Sequence, residues 1–241
     1  KKGNPLIKNN INLRLYKLKQ FKELIYKINL LRSINFTKNL ISEPANILNP
    51  VSYAEKCTKL RDLGLKVKVL NKTQLENIGM RSLLAVSEGS SNEPRVIIFE
   101  WNLKKNKKPT ILVGKGVTFD TGGISLKPSE GMEDMIFDMA GSAVVVGSMM
   151  NAALNNLSLP IVGIIGLVEN MPDGNAQRPG DIIKSLSGAT IEVLNTDAEG
   201  RMILADILSY IQNKFQPKQI IDFATLTGAI MVALGTHRAG L

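Results

Sequence analysis

Apolar residues recur every three or four positions across residues 13–31, at Leu15, Leu18, Phe21, Ile25, Ile28 and Leu31, with lysines between them. That spacing predicts an amphipathic helix whose charged face looks outward, in the form of a connector. The prolines and short polar residues of Ser42-Glu43-Pro44-Ala45-Asn46 and Asn49-Pro50 break the pattern. Ser52 is then placed to cap a helix running through Tyr53, Cys57 and Leu60 to Gly64. Aliphatic or alternating runs predict strands over 65–70, 95–101, 110–113, 160–168 and 219–224, and helical spacing covers 140–154 and 202–215. Strand and helix alternate. The expected fold is therefore α/β, a three-layer α/β/α sandwich with helices on both faces of a mixed, largely parallel sheet.

Composition narrows the class. With 44% hydrophobic side chains in 241 residues, the chain can bury a sizeable core. A single cysteine, Cys57, excludes an intrachain disulfide framework and a thiolate metal cluster, and it points to a reducing, cytoplasmic compartment. Polar residues and turns interrupt the apolar runs before they reach the roughly 18 to 20 residues of a membrane span, so a soluble protein is expected.

The net charge of +9 is local: residues 1–33 hold nine Lys or Arg and one acid, whereas the rest has 21 basic and 20 acidic residues. Such a segment can touch nucleic acid or an anionic surface, but a solvated helix face or linker is the favoured reading. No methionine precedes Lys1 and no signal-peptide pattern follows it, which reads as a cut edge.

The chemistry gathers in two places. The first is Val113-Gly114-Lys115-Gly116-Val117-Thr118-Phe119-Asp120-Thr121-Gly122-Gly123, followed by Lys127 and Asp138, read as a loop between buried strands where ligands commonly bind. It fits neither phosphate loop: a P-loop needs Ser or Thr directly after its lysine, and the dinucleotide pattern needs glycine where Phe119 stands. The second is Asn195-Thr196-Asp197-Ala198-Glu199-Gly200-Arg201, after a strand-like stretch over 190–194. Acids spaced by two in an extended segment point to one side and can share a metal. Gly200 is expected to permit the turn into the next helix, with Arg201 at its beginning.

With one histidine, His237, a hydrolytic metal centre here would rest on oxygen ligands, with an amine as the remaining option. Asp120, Asp138, Asp197 and Glu199 carry enough negative charge to balance two divalent cations, which can clamp a water and a carbonyl for hydrolysis. Lys115 could join such a site only when neutral, so its pKa is expected to be strongly depressed.

Together the two segments resemble those of the leucyl aminopeptidase family, dizinc enzymes that carry the Asn-Thr-Asp-Ala-Glu-Gly-Arg signature. The resemblance extends to Glu43-Pro44-Ala45-Asn46, Asn49-Pro50, residues 94–99 and Ala224-Thr225-Leu226-Thr227-Gly228-Ala229, so it covers residues 35–241. It implies a catalytic aminopeptidase domain over 35–241 that continues past the chain's C-terminus. Residues 1–34 would be a basic helical linker from the end of an N-terminal domain.

The implied activity is hydrolysis of the N-terminal residue of peptides, leucine and other apolar residues preferred, with two divalent ions per chain, zinc or manganese. By motif position, Lys115, Asp120, Asp138 and Glu199 would bind the more readily exchanged metal, which also takes the substrate's free amine. Asp120, Asp197 and Glu199 would bind the other. Lys127 would stabilise the negative oxygen of the tetrahedral intermediate, and Arg201 would hold a bicarbonate ion acting as general base. Met135, Thr225 and Gly228 would line the pocket for the first side chain, and the Leu226 carbonyl would bind substrate. The full-length protein is expected to form a homo-hexamer in the cytoplasm, acting on peptides and touching neither membrane nor nucleic acid. Two rivals remain at this level: another two-metal hydrolase such as a phosphatase, and a DNA-binding or scaffold role on the same fold.

Overall fold

The computed structural model describes residues 21–105 and 107–241. Most of the basic N-terminal segment, and residues 13–20 of the expected first helix, lie outside them. The helix that is described, α1 (Phe21–Ser42), runs past residue 31 and through residue 34 without a break. Its orientation reverses the expectation. Asn29, Ser33 and Leu40 are its buried residues, whereas Phe21, Ile25, Ile28 and Leu31 are exposed. The polar residues face inward because they bond to the helix beneath: the Asn29 amide donates to the Leu154 carbonyl at 3.0 Å, and the Thr37 hydroxyl reaches that of Ala143 at 3.4 Å.

Helix α2 (Pro50–Thr58) begins earlier than expected, because Asn49 is its N-cap. The Asn49 side chain accepts from the N–H groups of Val51 and Ser52, and Ser52 returns a bond to the Asn49 N–H, a reciprocal capping box. A 3₁₀ turn (Lys59–Leu63) continues it to Gly64. There follow β1 (Lys66–Leu70), α3 (Lys72–Ile78), α4 (Arg81–Ser87), β2 (Arg95–Trp101), β3 (Thr110–Asp120), a 3₁₀ turn (Met132–Phe137), α5 (Ala140–Leu154) and β4 (Ile161–Asn170). A small hairpin of β5 (Ile182–Lys184) and β6 (Thr190–Glu192) leads to α6 (Gly200–Phe215), β7 (Gln219–Phe223) and α7 (Ala229–Leu234).

The main sheet has the order β1-β2-β4-β3-β7, with β2 antiparallel to both its neighbours and β4, β3 and β7 parallel. It is mixed and mostly parallel, covered on both faces. Ile111, Val113, Val162 and Ile164 pack with α4 and α6 on one side, while Ile97, Phe99, Ile165 and Leu167 pack with α2 and α5 on the other. Strands buried on both faces read as continuous apolar runs, which explains their composition.

Two features follow from the same burial. The stretch Met132–Leu154 is long and apolar enough to cross a membrane by length and composition alone, but Glu133, Asp134 and Asp138 interrupt it and over half of its apolar window is buried inside the fold, where β3, β4 and α1 cover α5. Strand β3 runs on to Asp120, so the Gly-Lys-Gly stretch lies within a central strand and not in a loop.

Candidate active site

Glycines at 114 and 116 make the central strand possible at this place. A Cβ on Gly114 would stand 2.5 Å from the Ser142 Cα, so the bare backbone lets the start of α5 lie directly against β3. Lys115, between them, projects toward α6, whose first residue Gly200 leaves room: a Cβ there would come within 3.0 Å of the Lys115 Cδ and Cε. Close approach, not a left-handed turn, is therefore the reason for Gly200, since its φ is not positive. Lys115 is 2% exposed, and its ammonium meets Asp138 Oδ1 at 2.9 Å, Glu199 Oε1 at 2.8 Å and the Thr225 carbonyl at 2.9 Å.

Asp120 closes β3 beside the end of β4, at the carboxyl ends of parallel strands. Its Oδ1 accepts from the Gly122 N–H at 2.9 Å and the Asn170 amide at 2.8 Å. Gly122 has φ +88°, which lets the chain fold back so sharply. Thr196, fully buried, then fastens this loop to the second motif: its hydroxyl donates to the Gly122 carbonyl at 2.6 Å and accepts from the Ser125 N–H at 2.8 Å.

The second motif is not extended. Asn195 accepts from the Asp197 N–H at 2.8 Å and starts a 3₁₀ turn (Thr196–Ala198) that runs directly into α6. Strand alternation is thus not what aligns Asp197 and Glu199; the tight turn does. Asp120, Asp197 and Glu199 each offer an oxygen within 4.8 Å of the others. Lys127 pairs with Asp197 Oδ1 and, at 3.1 Å, with Asp120 Oδ2.

The carboxylates share one pattern. Asp120 is held through Oδ1, Asp138 through Oδ1 by Lys115 and Thr225, and Glu199 through Oε1 by Lys115. Asp138 Oδ2 and Glu199 Oε2 are buried without a hydrogen-bond partner among the described residues. Burial pushes the Asp138 carboxyl up to about 6 and the Glu199 carboxyl up to about 7, against the pull of Lys115. Three acids clustered within 4.8 Å, a fourth, Asp138, joined to them through Lys115, free buried oxygens on Asp138 and Glu199, and two lysines to offset the charge fit divalent cations that prefer oxygen donors.

Burial alone would lower the Lys115 pKa, but Asp138 and Glu199 outweigh it, so the chain's own groups hold it above its ordinary value. The expected depression belongs to a site with dications beside the amine, which would penalise its protonated form. Lys127 is likewise raised: burial lowers it, and Asp197 and Asp120 overcome this.

The remaining expected residues surround this cluster. Arg201 is exposed in the first turn of α6 and makes no ion pair among the described residues. Met135 is half-buried in the 3₁₀ turn before Asp138, and Leu226 and Gly228 are exposed on the segment between β7 and α7. Thr225 joins the cluster directly, its hydroxyl donating to Asp138 Oδ1 at 2.6 Å. Asn170, Thr196 and Ser125 were not singled out from sequence. They act through neighbours distant in the chain and carry no chemical signature of their own.

Comparison with known proteins bears on this geometry. A model of the catalytic domain of the cytosol aminopeptidase family matches residues 35–241. The chain belongs to that family. Probable cytosol aminopeptidases of Brucella anthropi and Phytoplasma australiense are 58% and 57% identical over 205 and 213 residues, covering 85% and 88% of the chain. The chain spans 41% and 43% of the length of these curated relatives, less than half. Among solved structures, the Caenorhabditis elegans leucine aminopeptidase aligns with TM-score 0.85 at 33% identity, over 89% of this chain and 44% of that one. The bottromycin maturation enzyme BotP in complex with Mn aligns with TM-score 0.83 at 34% identity, over 92% of this chain and 52% of that one.

Proposed function

We propose that the chain carries the catalytic centre of a metal-dependent aminopeptidase that hydrolyses the N-terminal residue of peptides, with leucine and other apolar residues preferred. The observation that carries this reading is the cluster of Asp120, Asp138, Asp197 and Glu199, each tied through one oxygen or paired with a lysine, with buried oxygens left over. Family membership supports the reaction class, and the Mn complex of BotP supports a divalent cation.

These four acids, with the amine of Lys115 when neutral, would hold two divalent ions, zinc or manganese. Once bound, such ions would polarise the scissile carbonyl and supply an activated water at neutral pH. The Lys127 ammonium, kept charged by Asp197 and Asp120, would offer a fixed positive charge to the negative charge that develops on the carbonyl oxygen. Arg201, exposed at the amino end of α6, would hold a bicarbonate ion through its planar fork of N–H groups, aided by the helix terminus. Met135 and Leu226 offer apolar surface for the first side chain. Apart from its chain neighbours, no atom lies within 4 Å of where a Cβ on Gly228 would stand, so that position is open. A lone buried Cys57 suits a reducing cytoplasm.

Release of p-nitroaniline from leucine p-nitroanilide tests the reading, measured after chelation and again with zinc or manganese. Metal-dependent release that disappears in Asp197→Ala and Lys127→Ala is expected. Absence of both release and bound metal in the parent chain would refute it.

A further inference from the structure

Asn170 ends β4 and is 2% exposed. Its single amide group spans the site: one bond runs to Asp120 Oδ1 at 2.8 Å, and another to the Thr196 carbonyl at 3.1 Å. One side chain thus links the acid at the end of β3 to the backbone of the turn that carries Asp197. Its own backbone carbonyl accepts from both the N–H of Thr121, at 3.0 Å, and the Thr121 hydroxyl, at 2.8 Å.

The neighbouring glycine is shaped to this residue. A Cβ on Gly123 would stand 2.8 Å from the Asn170 Oδ1 and 3.0 Å from the Thr196 Oγ1. Any larger side chain at 123 would push the amide away from Asp120. The terminal torsion of an aspartate is broad and two-fold, so the carboxylate of Asp120 is not oriented by its own rotamer preference. Two donors on Oδ1, from Asn170 and Gly122, orient it and leave Oδ2 directed at Lys127.

We infer that Asn170 is a positioning residue for the cation site, fixing which oxygen Asp120 presents and the distance between Asp120 and the Asp197 turn. The inference rests on the proposed two-cation reading. Partners of this kind, which orient ligands without touching the ion, typically change metal affinity by about 10- to 100-fold when removed.

The test compares the parent chain with Asn170→Ala and with Asn170→Leu, which keeps most of the volume and drops both N–H groups. Zinc and manganese dissociation constants are measured by competition with a chromogenic chelator. Circular dichroism reports the fold, and the rate on leucine p-nitroanilide is followed as a function of metal concentration. Expected is a folded protein whose metal affinity falls about 10- to 100-fold, with the metal concentration for half-maximal rate rising in parallel and KM at saturating metal nearly unchanged. A folded variant that binds metal within about threefold of the parent, below the range for such partners, overturns the inference. Failure of both variants to fold, even with saturating metal, assigns Asn170 to the fold and also overturns it. A parent chain that binds no metal instead sinks the two-cation reading itself.

Discussion

Asp206 is a fully buried acid in the second turn of α6, seven residues beyond Glu199, and it pairs with no cation among the described residues. Its Oδ2 accepts from the Leu83 N–H at 3.0 Å and its Oδ1 from the Leu186 N–H at 2.7 Å. Leu83 lies in the first turn of α4, whose N-cap Met80 supplies no side-chain bond. Asp206 therefore does for α4 what a local cap residue would do, from another helix. Burial raises its pKa, and the N–H donors work against that. Asp206→Ala leaves the buried Leu83 N–H without a partner, at about 1–3 kcal/mol, and the part-buried Leu186 N–H at the lower end of that range, so the expected loss is about 2–4 kcal/mol. At roughly 2–4 °C per kcal/mol for a chain of this size, melting should fall by about 10 °C. Asp206→Asn keeps the shape, but its NH₂ must face one of the two donors, so about half that loss is expected. Urea and thermal unfolding followed by circular dichroism measure both variants. A loss below about 1 kcal/mol for Asp206→Ala, or an Asn variant as stable as the parent, would refute the trans-capping argument.

Other expectations follow from the same geometry. Gly114→Ala forces the start of α5 off β3 and should cost about 1–3 kcal/mol while lowering the rate on leucine p-nitroanilide; full stability and rate would contradict the close-approach argument. Cys57 is buried, with its thiol pushed far up by burial, so iodoacetamide at pH 8 should leave it unmodified until denaturant is added, as mass spectrometry can show. In the chelated chain, Asp138 at about 6 and Glu199 at about 7 lie above their unfolded values. What they add to stability is complete below about pH 4 and lost as pH rises through those values. Chelated protein should therefore melt lower at pH 8 than at pH 5, with zinc or manganese reversing the trend, and a flat profile would count against the acid cluster.

The fold was legible where burial is two-sided. Continuous apolar runs marked β2 and β4, and helical spacing marked α5 and α6 to within a few residues. Strand β6 was anticipated as a strand-like stretch over 190–194, but the short helices α3 and α4 and strand β5 were not read; α4 in particular is held by a tertiary contact, Asp206 on Leu83, more than by local pattern. In the site, carboxylates and lysines announce themselves by residue type, so Lys115, Asp120, Asp138, Asp197 and Glu199 could be named and are found gathered. Their geometry could not be read. The strand continues through Lys115 because Gly114 and Gly116 lie under α5, and the acid pair turns through a 3₁₀ bend because Asn195 caps it. Asn170 reaches Asp120 from 50 residues away, a relation that no local spacing encodes.

The outward apolar stripe of α1 also has a practical meaning for anyone handling this protein. Phe21 and Leu31 are 59% and 57% exposed, while the helix is moored by the polar bonds of Asn29 and Thr37. Greasy residues that bear none of the mooring can be exchanged freely. Phe21→Lys with Leu31→Lys should leave the melting temperature within about 1 °C, as expected for surface changes, while raising the concentration at which light scattering first reports clumping. In this helix the usual advice for improving solubility is inverted: the grease of its exposed stripe can be discarded, while its inward amide and hydroxyls must be kept along with the buried Leu40.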